Sequence, residues 1–138
     1  MLKKISLVVT LLLISVSITF AGETKNQIIQ DMTDVCIKRI IPDAKPGDVI
    51  TEKVLQSITT CVNNQIKSAY VLSEGVLDTI EEMEDGPKKT VLMSVVVKCY
   101  KINRVDGKID YIATLKCFEN ALDRLEELVD AQRKRNGL

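Results

Sequence analysis

Histidine and tryptophan are both absent from this chain of 138 residues, and glycine (six) and proline (three) are sparse. Without histidine, histidine-based triads and acid–base pairs are excluded. Only the α-amino terminus then has an ordinary pKa near neutrality. There is no net charge, with 19 basic and 19 acidic residues. The only basic run is Arg133-Lys134-Arg135, so nucleic acid is not an expected partner. No two of the four cysteines lie two to four residues apart, and no histidine can join them, so no metal site is expected. The cluster "EEMED" (Glu81 to Asp85) places consecutive carboxylates in different directions around a helix, which reads as a solvated helix end. "DGKID" (Asp106 to Asp110) lacks the spaced ligands of an EF-hand and reads as a turn. Neither an enzyme nor a cofactor is expected.

What is present begins with a leader. Lys3 and Lys4 precede an apolar run from Ile5 to Phe20, and Thr19 and Ala21 supply the small residues of a cleavage site before Gly22. This pattern predicts a secretory signal peptide over residues 1–21, followed by one domain over 22–138 with a polar tail at 130–138. No later segment is apolar enough to suggest stable membrane insertion. Removing Lys3 and Lys4 with the leader moves the formal charge from 0 to −2. All four cysteines, Cys36, Cys61, Cys99 and Cys117, fall after the leader. An even number in a short secreted chain implies two disulfides, and spacing alone leaves three connectivities open.

Between the breakers Pro42, Pro46-Gly47, Gly86-Pro87 and Asp106-Gly107, apolar residues recur at helical spacing. Ile28, Ile29, Met32, Val35 and Cys36 mark a first helix. Asp48 is placed to cap a short second helix from Val49. Val54, Leu55, Ile58, Cys61, Val62 and Ile66 mark a third. Ser73 is placed to cap a fourth, through Val76, Leu77, Ile80 and Met83. "VLMSVVVKCY" (Val91 to Tyr100) suits a buried strand or a buried helix. With no second strand candidate to pair with it, a helix is expected. Asp110 is placed to cap a last, long helix carrying Ile112, Leu115, Phe118, Leu122, Leu125 and Val129. The expectation is an all-α, compact bundle of about six helices.

The cysteine intervals of 24, 37 and 17 residues, with "KCYKIN" and "YIATLKCFENA" around the last two cysteines, resemble those of the insect odorant-binding proteins. Relative to the six-cysteine members, the second and fifth cysteines are missing and fall at Ser57 and Lys108, as in the four-cysteine "C-minus" type. The first interval is shorter than is usual in that family. The resemblance covers residues 23–125. It implies pairing of Cys36 with Cys61 and of Cys99 with Cys117, an apolar cavity among the helices, and a secreted, extracellular carrier of small apolar ligands such as odorants, pheromones or lipid-like molecules.

Periodicity nominates Met32, Ile66, Val76, Ile80, Met83, Val91, Val95, Phe118 and Leu122 as pocket residues, each of which could equally be core. Aliphatic residues outnumber aromatic ones, which favours long-chain ligands over flat ones, and methionine suits an adaptable site. Tyr70, Tyr100 and Tyr111 are the hydroxyl donors available for a polar head. Beyond Phe118 the stripe either packs on the same domain or forms a homodimer through residues 118–129. The competing function is a secreted, disulfide-stapled helical interaction protein, such as a venom, salivary or haemolymph factor, acting on a protein partner. Ligand binding is expected to change little between about pH 7.5 and about pH 6, because no histidine titrates there. A probe titration at both values checks this, and a large loss of affinity at the lower one would contradict it.

Overall fold

The computed structural model describes residues 24–137; the leader and its cleavage site lie outside them. Four helical rods carry the fold of these residues, and the bridges join Cys36 to Cys61 and Cys99 to Cys117. Among the described residues, no helix is long and apolar enough to cross a membrane.

Helix α1 (24–40) buries Met32, Val35 and Cys36, which share one face at i, i+3 and i+4. Its last helical bond runs from Ile41 N–H to Ile37 C=O, and Pro42 ends it. The expected second helix does not form. Asp48 instead accepts the Lys45 N–H at 2.7 Å and closes a turn, Gly47 takes a φ of 91°, and Val49 is 96% exposed. The cap belongs to Thr51, whose hydroxyl accepts the Val54 N–H and starts α2 (Glu52–Tyr70).

Nor does a new helix begin at Ser73. The rod continues through a π-helical segment (Val71–Leu77) into α3 (Asp78–Glu82), and the Ser73 hydroxyl donates to the Tyr70 carbonyl. The burial pattern explains the π segment. Ile58, Gln65 and Leu72 are buried at seven-residue intervals, and Ile80 comes eight residues later. A π turn absorbs the extra residue and keeps Ile80 on the buried side. Six expected helices thus become four rods among the described residues.

Lys89 closes the end of α3, donating to the Glu81 and Met83 carbonyls and pairing with Asp85 at 3.3 Å. Helix α4 (Pro87–Ile102) starts with proline in its first turn, where no intrahelical N–H is needed, and the β-branched run buries Val96 and Cys99 as helix. A two-residue ribbon follows, β1 (Arg104–Val105) antiparallel to β2 (Lys108–Ile109). Asp106 and Gly107 turn it with φ of 49° and 79°, the left-handed pair a two-residue hairpin requires. Helix α5 (Tyr111–Arg135) runs for 25 residues, about 37 Å at the standard rise, well into the expected polar tail.

Two packed regions result. Ile80, Val96, Cys99 and Phe118 form an apolar cluster joining α3, α4 and α5, flanked by Val76, Leu77, Met83, Val95 and Leu122. The second region is polar. Gln65, fully buried on α2, donates to Asp110 Oδ1 at 2.9 Å and accepts the Tyr111 N–H at 2.7 Å. The other Asp110 oxygen meets the Arg39 guanidinium at 2.8 Å, while Oδ1 also caps α5 through the Ala113 N–H. Buried Thr114 donates to the Asp110 carbonyl. The carboxylate is thereby satisfied from α1, α2 and α5 at once.

Replacing Gln65→Ala should lower unfolding free energy by about 2–4 kcal/mol, through an under-satisfied carboxylate and a cavity. The exposed Gln56→Ala should stay within about 0.5 kcal/mol. Urea denaturation followed by far-UV circular dichroism compares them, and equal midpoints would contradict the node's role. Each disulfide closes a loop, with sequence separations of 25 and 18. Removing either bridge by paired Cys→Ala substitution should cost about 3 kcal/mol in the chain-entropy treatment, read by the same assay.

Candidate functional site

The α1 face flanking its buried stripe presents Ile28 and Ile29 beside Met32, and α2 presents Ile66, Ala69 and Tyr70 at i, i+3 and i+4. These two faces border an open apolar groove of about 1000 Å³. Tyr111, the first residue of α5, and Tyr100, near the end of α4, complete it, with Ser73 from the π segment and Thr24 and Lys25 from the start of α1.

The polar node places Tyr111, because Gln65 holds its backbone N–H. Tyr100 and Tyr111 meet edge to face, ring centroids 6.4 Å apart and planes at 87°. The ribbon beside them is held to α1 by charge. Lys108 pairs with Asp34 and, at 3.9 Å, with Asp31, and Lys38 reaches Asp106 at 4.0 Å. Hydrogen bonding to Asp34 raises the Lys108 pKa.

All three tyrosines hold their protons more tightly than free tyrosine. Hydrogen bonding to Glu74 raises Tyr70, and burial raises Tyr100 and Tyr111, the latter aided by the Asp31 carboxylate and opposed by Arg104. The groove therefore presents aliphatic walls and neutral phenolic hydroxyls, suited to an elongated apolar molecule with one polar end. Among the described residues, no group of three or more acidic or cysteine side chains could hold a metal ion.

The nominated pocket residues do not converge on one cavity. Met32 and Ile66 line this groove. Val76, Ile80, Met83, Val95 and Phe118 pack into the apolar cluster. Val91 and Leu122 border a second open groove, of about 770 Å³, between α4 and the outer half of α5. Both grooves that nominated residues border are open to solvent. Periodicity alone does not single out Ile28, Ile29 and Ala69 as lining residues, nor Gln65 as their support. The signal for Gln65 is a polar residue at the heptad position after Ile58.

No family model, no curated protein and no solved structure matches this chain.

Burial favours the neutral form of Tyr100 and Tyr111, so their folded pKa values lie above the ordinary 10.0. Their contribution to stability is present below about pH 10 and lost as pH rises through the folded values. Spectrophotometric titration should find every tyrosine ionising above pH 10.0, with unfolding favoured beyond it. A tyrosine whose ionisation midpoint fell below that value would contradict the arrangement.

Proposed function

We propose that the protein is a secreted carrier of small hydrophobic ligands, akin to the four-cysteine insect odorant-binding proteins, and that it holds its ligand in the groove between α1 and α2. The observation that carries this reading is the meeting of aliphatic faces from two helices with Tyr70, Tyr100 and Tyr111 in one concavity of about 1000 Å³. Ile28, Ile29, Ile66 and Tyr70 are between 37% and 61% exposed there, an apolar area that a ligand would remove from water. The two disulfides, the signal-like leader and the cysteine spacing favour an extracellular setting. A long-chain alcohol, ester, aldehyde or fatty acid has the matching form, with its chain along α1 and α2 and its polar end at a phenolic hydroxyl or the Lys25 ammonium.

The alternative, a secreted helical protein that acts on a protein partner, gains support from the openness of the concavity and from the second apolar groove.

The deciding experiment uses the oxidised protein lacking residues 1–21. A polarity-sensitive apolar fluorophore is titrated and then displaced with alcohols and acids of increasing chain length. The expected outcome is saturable one-to-one binding with length-dependent displacement. Ile66→Glu, at a half-exposed position, should weaken binding by at least about tenfold, roughly 1.4 kcal/mol, while leaving the helical spectrum intact. A folded protein that takes up no probe would sink the carrier reading and favour the partner-binding one.

A further inference from the structure

The groove between α1 and α2 carries its charge in one place. Among the described residues that border it, Lys25 alone is charged, and it stands one turn before Ile28 and Ile29 on the same face of α1. No ion pair among the described residues uses Lys25, so its ammonium stands at the groove without a counter-charge from the protein.

The neutral polar groups are less open to an anion. The Ser73 hydroxyl donates to the Tyr70 carbonyl, and the Tyr70 hydroxyl is engaged by Glu74, which does not border the groove. Tyr111 feels two opposed charges, the Asp31 carboxylate and the Arg104 guanidinium, with the carboxylate the stronger influence. Both border a small neighbouring pocket of about 150 Å³ that shares Ile28 and Tyr111 with the groove. An anion placed there would meet Asp31 as well as Arg104, whereas at Lys25 it would meet an unpaired cation.

The open form of the groove also bears on the head group. An enclosed apolar cavity would strip a carboxylate of its water, a loss that one ammonium offsets only with excellent geometry. At a rim open to solvent the head keeps its hydration while the alkyl chain is removed from water. Lys25 is itself exposed, so its charge stands where such a head would lie. A single ammonium matches a singly charged head.

We propose that the ligand held between α1 and α2 is a long-chain carboxylate, with its alkyl chain along Ile28, Ile29 and Ile66 and its carboxylate at the Lys25 ammonium. This rests on the carrier reading and narrows it, since neutral alcohols, esters and aldehydes of equal chain length become the weaker ligands.

The test loads the same oxidised protein with an uncharged fluorophore. Displacement is then compared at neutral pH for dodecanoate, methyl dodecanoate and dodecanol, each below its solubility limit. Dodecanoate should displace at a concentration at least about threefold lower than either neutral ligand, the scale of an exposed ion pair, and added salt should narrow the gap. Lys25→Gln should erase the gap between acid and ester, and Lys25→Arg should keep it. Equal displacement by acid and ester in the wild-type protein overturns the inference and leaves the carrier reading standing. A folded protein that takes up no fluorophore overturns both. A gap that survives Lys25→Gln overturns the placement of the head, and its loss in Arg104→Gln would move the head to the small pocket at the ribbon.

Discussion

The buried Asp110 carboxylate is the constraint around which the first half of the molecule is arranged. A carboxylate removed from water destabilises a fold unless charge and hydrogen bonds replace its hydration. Here they come from Arg39 on α1, Gln65 on α2 and the first turn of α5, so those three elements have one relative placement that satisfies the group. The Cys36–Cys61 bridge ties α1 to α2 close to the same place, and the ion pairs of Lys108 hold the ribbon on α1. Specification here is polar and covalent as well as apolar, for Met32 and Val35 of α1 and Ile58 and Leu72 of the α2 rod are buried too.

That division of labour explains the open surface. A small chain has little apolar area to bury, and this chain divides its own between the cluster where α3, α4 and α5 meet and the buried faces of α1 and α2. With α1 and α2 fixed by the polar node and a disulfide, their apolar flanks need not be covered to keep the helices in place. Ile28, Ile29, Ile66 and Tyr70 remain accessible while the cluster stays packed.

Much of the framework is legible in the sequence, and the failures have physical causes. Asp110 is readable as a cap because a carboxylate before an apolar stripe has few other local uses; its burial is not readable, because Arg39 and Gln65 are distant in the chain. Asp48 and Ser73 resemble caps equally well. Asp48 satisfies a turn, and Ser73 lies inside a rod whose stripe changes phase, so local chemistry does not separate these cases. Periodicity identifies the apolar faces but not what each one meets. Val91 and Phe118 both fit the pattern, yet one borders a groove and the other is buried in the cluster.

The π segment at Val71–Leu77 lets one continuous rod answer to two masters. An unbroken α-helix has a single phase along its length, so rotating one end to suit its neighbours rotates the other. One surplus residue in a wide turn acts as a slipped gear tooth and decouples the two ends. Upstream, the rod is oriented by the polar node and the groove; downstream, by the apolar cluster. The open groove and the stabilising interior can then diverge separately, each keeping its own alignment while side chains on the other are exchanged.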